Sequence, residues 1–210
     1  MVDLYYSLTA GIRALPAYGI AALTVLMLYT LQAELRFDAR ARSGAAGASD
    51  RGSTVALSLS SLVPVFGFVL AMKGRLDVSL PGMPAAAWCG VILGALGLLL
   101  RLWAVLTLRE RYTRTLLLQD EHRIERGGPY RFVRHPGYLG SLLTLNGVAM
   151  ASGSVAALLA SLAATLAAYA YRIRVEDAML VAAFGAAYEQ YRLRTRALLP
   201  SLPVKHAGEP

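Results

Sequence analysis

The 210-residue sequence has little of what soluble proteins commonly use for folding and chemistry. Only 16% of its residues are charged, whereas a typical soluble domain has about 25%. Its single cysteine, Cys89, excludes an intramolecular disulfide and lies in an apolar run, so cysteine chemistry is not expected. The three histidines, His122, His135 and His206, lack the i, i+4 spacing of a helical metal site. No metal site is predicted.

Nucleotide-binding motifs are also absent from the sequence. No G-x-G-x-x-G follows a predicted strand and no G-x-x-x-x-G-K-[ST] occurs, which excludes the common phosphate-binding loops. The basic residues have few aromatic residues among them and flank apolar segments, so nucleic acid is not an expected partner. The first residues, MVDLYYSLTAG, place no basic region before an apolar stretch, and a cleaved signal peptide is not predicted.

The sequence is instead both apolar and basic, with 56% hydrophobic residues and a net charge of +8. A membrane-crossing helix needs about 20 mostly apolar residues. Five segments are interpreted as crossings: 14–33, 54–72, 84–100, 138–151 and 155–171. Ser152-Gly153-Ser154 between the last two indicates a tight helical hairpin. The sequence therefore predicts an all-α integral membrane protein with five transmembrane helices.

Lysine and arginine divide unequally between the two sides that five crossings define. Segments 34–54 and 101–137 and the residues after 171 hold 18 of the 21, and the other side holds Arg13, Lys73 and Arg75. The positive-inside rule places the rich side in the cytosol and the N-terminus outside. The same residues would contact anionic membrane lipids. High Ala and Arg with little Lys indicates a GC-rich bacterium, which makes a bacterial cell membrane the expected location.

Gly90 and Gly94 form a G-x-x-x-G on the third apolar segment, and Gly97 follows one turn later. Small residues at this spacing allow helices to approach closely. The contact would lie within the chain or between two chains, so a homodimer stays open but unsupported.

Two segments on the Arg-rich side have features that topology does not require. Residues 119–140, QDEHRIERGGPYRFVRHPGYLG, combine Gly and Pro with tyrosines, histidines and arginines. Such irregular backbone at a membrane boundary persists where it is buried in protein or lines a polar cavity.

Residues 172–200 predict an amphipathic helix with Glu176 and Asp177 at its start. Its stripe consists of Leu180, Phe184, Tyr188 and Tyr191. Adjacent acids so near hydrocarbon are costly without a partner. They are interpreted either as helix N-terminal acids stabilised by the macrodipole or as a recognition site for a cationic ligand.

These motifs resemble those of the isoprenylcysteine carboxyl methyltransferase family and, more distantly, of the phospholipid N-methyltransferases. The first motif, ending in R-H-P-x-Y-x-G, is matched by His122, Gly128, Tyr130, Arg134, His135, Pro136, Tyr138 and Gly140. The second, E-[ED]-x-x-L-x-x-x-F-G with its flanks, is matched by Arg172, Glu176, Leu180, Phe184, Gly185, Tyr188, Tyr191 and Pro200. LRLWAVLTL at 100–108 is similar to the family's L-R-x-W-A segment. Two positions depart from the pattern: Asp177 replaces a second glutamate, and Ile124-Glu125 replaces Leu-Val.

The resemblance implies a single membrane methyltransferase domain, 1–210, that uses S-adenosylmethionine. Within it, 1–97 mainly span the membrane and 98–200 form the cofactor-binding catalytic core, with the C-terminal amphipathic helix capping a cytosolic cofactor pocket. The cofactor-binding residues that the resemblance implies are His122, Tyr130, His135, Pro136, Tyr138, Gly140, Glu176, Asp177, Phe184 and Tyr188.

The resemblance also implies a lipid-like or prenylated acceptor that enters from the bilayer. Carboxyl O-methylation of a prenylcysteine-like acceptor would need a cation, for which Arg172 is the first candidate and Arg134 the second. An amine or hydroxyl acceptor would need a base instead, His135 or Glu176. Lipid N-methylation and methylation of a small thiol or hydroxyl stay open. So does a non-catalytic membrane transport or assembly protein on the same scaffold, which would bind no cofactor.

Overall fold

A computed structural model describes residues 18–19, 21–29, 52–73, 85–108 and 124–200. The described part of the chain is helical apart from its turns and its C-terminal segment. Residues 18–19 and 21–29 are helical. They are followed by α1 (Ser53–Met72), α2 (Ala85–Leu108), a 3-10 turn (Gly128–Arg131), α3 (Pro136–Ala151), α4 (Val155–Phe184) and α5 (Ala186–Arg194).

Three of the described helices are long and apolar enough to cross a membrane: Ser53–Ala71, Ala85–Leu108 and Val155–Phe184. The all-helical membrane fold is therefore confirmed, whereas the count of five crossings is not. Helix α3 has 16 residues, slightly fewer than the roughly 17 that a crossing needs. The first predicted crossing, 14–33, lies only partly within the described residues.

Helix α4 differs from the sequence prediction because the last crossing and the acidic pair belong to one helix of 30 residues. The crossing was predicted to end at 171, and a separate amphipathic helix to occupy 172–200 with Glu176 and Asp177 at its start. At about 1.5 Å per residue, α4 is about 45 Å long, which exceeds the roughly 30 Å of a hydrocarbon core. Glu176 and Asp177 thus lie far from the helix N-terminus. Their interpretation as N-terminal acids is wrong, since the macrodipole acts only within the first turn.

Helices α2 and α3 pack closely along a glycine-lined crossing. A Cβ atom on Gly97 would lie 2.6 Å from the carbonyl oxygen of Gly140, and one on Gly147 would lie 2.5 Å from the amide nitrogen of Gly94. Both distances are too short for any side chain, so only glycine allows this approach. The glycine motif of α2 is accounted for within the chain and gives no indication of a dimer.

A buried polar network joins α3 to α4. Ser161 Oγ donates to Asn146 Oδ1 (2.8 Å), and Asn146 Nδ2 donates to Thr165 Oγ1 (3.1 Å) and to the carbonyl oxygen of Leu142 (2.8 Å). Polar side chains among apolar helices are tolerated when they are paired in this way. The network fixes how the two helices of the hairpin face each other.

The start of α1, the end of α2, the start of α3 and residues 172–177 of α4 lie at one end of the bundle. Arg172 donates to Ser53 Oγ at 2.7 Å, and Tyr130 OH donates to the carbonyl oxygen of Ala104 at 3.3 Å. This arrangement agrees with the division of the basic residues along the sequence. The site forms at this polar end of the bundle.

Candidate functional site

The site begins at the sharp entry into α3. Pro136 takes the first helical position, where its missing N–H is not needed and its fixed φ favours the helix. The amides of Tyr138 and Leu139 both donate to the carbonyl oxygen of His135 at 3.0 Å. Three polar side chains that flank this turn contact the acidic pair of α4: Arg134, His135 and Tyr138.

Asp177 is the centre of the polar cluster. Its buried carboxylate accepts hydrogen bonds from Arg134 NH2 (3.0 Å), His135 Nε2 (3.0 Å) and Tyr188 OH (2.5 Å). Arg192 Nε lies 3.9 Å away. Charge-assisted hydrogen bonds of this kind are about twice as strong as neutral ones. Asp177 therefore joins the entry to α3, helix α4 and helix α5.

Glu176 is the more accessible of the two acids. Its side chain is 22% exposed, compared with 11% for Asp177. Tyr138 OH donates to Glu176 Oε2, and His135 Nδ1 lies 3.9 Å from Oε1. The rings of His135 and Tyr138 are stacked, with centroids 5.4 Å apart. Glu176 therefore lies next to a flat aromatic pair and still has solvent access.

Arg172 lies on the same face of α4, one turn before Glu176, and is only 1% exposed. Its Nε donates to Tyr138 OH at 3.0 Å, and its NH1 donates to Ser53 Oγ at 2.7 Å and Thr54 Oγ1 at 3.1 Å. No motif in the sequence indicates a role for these two hydroxyls. No local pattern could have revealed them, since the contacts join residues 119 and 118 positions apart.

Arg134 attaches the segment that follows α5. Its NH1 donates to the carbonyl oxygens of Arg192 (3.0 Å) and Thr195 (2.7 Å). Next to it, the amides of Arg134 and His135 donate to the carbonyl oxygens of Arg196 (2.9 Å) and Ala197 (3.1 Å). Arg134 Nε is buried and has no hydrogen-bond partner among the described residues. A buried N–H in that position is costly unless an acceptor reaches it.

Two buried tyrosines of α5, Tyr188 and Tyr191, close one side of the site. Burial, reinforced by the neighbouring Asp177 carboxylate, raises the pKa of Tyr188 well above its ordinary value of 10.0. Burial also raises the pKa of Tyr191, whose hydroxyl donates to the carbonyl oxygen of Tyr130 at 2.6 Å. Both phenols are therefore protonated donors at neutral pH, and neither would act as a base.

The structure brings seven of the predicted site residues together: Arg134, His135, Tyr138, Arg172, Glu176, Asp177 and Tyr188. Four others lie outside this polar cluster. Tyr130 braces α2 and α5, Pro136 starts α3, Gly140 lies at the crossing with α2, and Phe184 is the last residue of α4. His122 lies outside the described residues. Within the described ranges, no group of three or more His, Cys, Asp and Glu residues could hold a metal ion.

Comparisons with known proteins cover the segment that forms this site. The family model described as phospholipid methyltransferase matches residues 85–187. Protein-S-isoprenylcysteine O-methyltransferase of Schizosaccharomyces pombe is 34% identical over 83 residues, which are 40% of this chain and 35% of that protein. Cobalt-zinc-cadmium resistance protein CzcN of Cupriavidus metallidurans is 34% identical over 120 residues, 57% of this chain and 50% of that protein. The chain thus matches half or less of the length of these two relatives.

The fold has a solved counterpart. The structure of a eukaryotic intramembrane Ras methyltransferase, ICMT, superposes with a TM-score of 0.55 and 21% sequence identity, over 70% of this chain and 51% of that one. At this identity the likeness concerns the fold, which is that of an integral membrane protein. The chain is therefore similar to the isoprenylcysteine carboxyl methyltransferase family in both its site segment and its fold, and the resemblance predicted from the motifs is confirmed.

Proposed function

We propose that the chain is a membrane-embedded methyltransferase that uses S-adenosylmethionine and acts on an amphiphilic acceptor. The observation that carries the proposal is the cluster in which Glu176, Tyr138 and His135 meet at the polar end of an apolar bundle. This cluster lies within the segment matched by the family model. S-adenosylmethionine would supply an electrophilic methyl group on a sulfonium, together with an amino group, a carboxylate and a nucleoside.

The donor set of the site suits those groups. Glu176 is a partly exposed carboxylate suited to the amino group or to ribose hydroxyls, while the Tyr138 ring suits a neighbouring cation. The carboxylate of S-adenosylmethionine would bind next to Arg134, whose buried Nε has no hydrogen-bond partner among the described residues. His135, Tyr188 and Phe184 would line the pocket, with α5 as its cap. Asp177, already holding three donors, would position these residues instead of contacting the cofactor.

Methyl transfer needs positioning and exclusion of water more than it needs a covalent intermediate. For a prenylcysteine-like carboxylate, Arg172 would orient the acceptor, because it is the buried cation adjacent to Tyr138 and Glu176. The apolar faces of the crossing helices would admit the acceptor's hydrocarbon tail from the bilayer. By the distribution of basic residues, the site and the C-terminus would face the cytosol. The high Ala and Arg and low Lys content favours the cell membrane of a bacterium.

Binding of S-adenosylhomocysteine tests the proposal directly. Titration calorimetry on detergent-purified protein should show saturable binding, and Glu176→Gln should weaken it. Glu189→Gln is the matched control, since Glu189 is an exposed acid on α5 away from the cluster. Absence of saturable binding to the wild-type protein would contradict the proposal.

The acceptor has a second candidate, because the matching family model is described as phospholipid methyltransferase. A lipid amine would need a base to take its proton, and His135 or Glu176 would serve. Methyl transfer from radiolabelled cofactor to prenylcysteine, ethanolamine lipid and small thiols in parallel would separate these acceptors. The alternative from another class is a non-catalytic membrane transport or assembly protein, which predicts no cofactor binding; one relative is named as a cobalt-zinc-cadmium resistance protein.

A further inference from the structure

The start of α1 contributes two hydroxyl groups to the polar end of the bundle. Ser53 is fully buried, and its Oγ accepts a hydrogen bond from Arg172 NH1 at 2.7 Å; Thr54 Oγ1 accepts from the same nitrogen at 3.1 Å. These residues precede the segment that the family model matches, 85–187. They belong to the part of the chain to which the sequence assigned only membrane crossing.

The contacts restrain the guanidinium from two sides. Arg172 Nε is held by Tyr138 OH from α3, at 3.0 Å, and NH1 by the two hydroxyls from α1. A planar guanidinium held at two of its nitrogens has a fixed plane, so it can present a fixed direction of positive charge. Loss of the two hydroxyls would remove both of these contacts to NH1 and loosen the orientation of the guanidinium.

We propose that Ser53 and Thr54 are positioning residues that hold Arg172 in the orientation required by the acceptor's carboxylate. This inference rests on the proposed function and adds α1 to the acceptor side of the site. His135 and Glu176 are held by Asp177 and Tyr138 instead, so the cofactor side should depend little on the two hydroxyls. Because small misplacements of reacting groups can cost about a hundredfold in rate, their effect is expected in the acceptor's kinetics.

The test uses full-length protein in detergent or nanodiscs. The double variant S53A/T54A is expected to lower kcat/KM for a prenylcysteine acceptor by about ten- to a hundredfold. The Kd for S-adenosylhomocysteine should change by less than about twofold, which is well short of the tenfold change that 1.4 kcal/mol represents. S58A/S61A is the matched control, because those hydroxyls bond only to α1's own carbonyl oxygens and should leave both quantities unchanged.

Two further variants distinguish positioning from a general structural role. S53T/T54S keeps both hydroxyls and should restore most of the lost kcat/KM. Adding S53A/T54A to R172Q should cost little more than R172Q alone, since residues acting through a shared partner are not additive. Additive losses, or a parallel loss of cofactor affinity, would overturn the inference. Unchanged acceptor kinetics of S53A/T54A would overturn this inference and leave the proposed function intact. Absence of cofactor binding to the wild-type protein would overturn both.

Discussion

Glu176 and Asp177 are adjacent acids with different surroundings, and neutralising each should have a different result. In Asp177→Asn, the new amide would place a donor opposite Arg134 NH2, which now lies 3.0 Å from the Asp177 carboxylate. Breaking a buried ion pair by removing one partner costs about 3–5 kcal/mol. For a chain of this size that corresponds to a fall of about 10 °C in the unfolding midpoint.

Glu176→Gln should cost far less stability. The side chain is 22% exposed, and glutamine retains an oxygen that can accept the hydrogen bond from Tyr138 OH. A loss of about 1 kcal/mol or less is expected, in the range of one ordinary hydrogen bond. Its effect should appear instead in the affinity for S-adenosylhomocysteine.

Thermal unfolding of the purified variants measures the first effect, and limited trypsin digestion locates it. Arg192 and Arg194 lie at the end of α5 and Arg196 in the segment after it, which is attached through Arg134 and His135. Without the Asp177 charge this segment should detach and be cut faster, whereas Glu176→Gln should resist trypsin like the wild type. An Asp177→Asn protein that melts within about 2 °C of wild type and keeps its trypsin resistance would refute the reasoning.

Three shorter predictions concern other parts of the molecule. Gly97→Ala should lower the unfolding midpoint by several degrees, because its Cβ would lie 2.6 Å from the Gly140 oxygen, whereas Gly137→Ala, whose Cβ meets nothing closer than 3.9 Å, should not. Tyr188→Phe should have a lower free energy of unfolding than wild type, by the same amount throughout pH 6 to 9. Above about pH 10 the difference in unfolding free energy between wild type and Tyr188→Phe should narrow. Because the pKa of Tyr188 is raised in the folded protein, this phenol contributes its full stability only while it is also protonated in the unfolded chain. A topology reporter fused after Pro210 should give a cytosolic signal, and a signal from the opposite side would contradict the predicted orientation.

The apolar segments and the two motifs were readable from the sequence because they depend on local composition and spacing. The extent of α4 was not. Residues 172–177 contain no glycine or proline, so nothing local stops the helix there, yet their charges indicated a boundary. The helix ends only at Gly185, where φ is +54°, a value that favours glycine.

The partners of the site residues were also beyond the reach of the sequence. The motifs grouped Glu176 with Asp177, but their different burial depends on which helices pack beside α4. Gly140 was predicted to bind cofactor, and the structure gives it a packing reason: its Cβ would lie 2.6 Å from the carbonyl oxygen of Gly97. The cofactor role of Gly140 stays a prediction. The contact of Arg172 with α1 depends on tertiary packing over more than a hundred residues.

The geometry of α4 explains why one helical turn can serve two purposes. Residues four apart lie on the same face of a helix, so Arg172 and Glu176 both face Tyr138. The next residue, Asp177, is rotated by about 100° and faces Arg134 and Tyr188 instead. One face is thereby available for ligands, while the neighbouring face binds the C-terminal segment to the entry of α3. Under the proposed function, the acid at 177 keeps that segment in place and the acid at 176 would recognise a cation, so neither would substitute for the other.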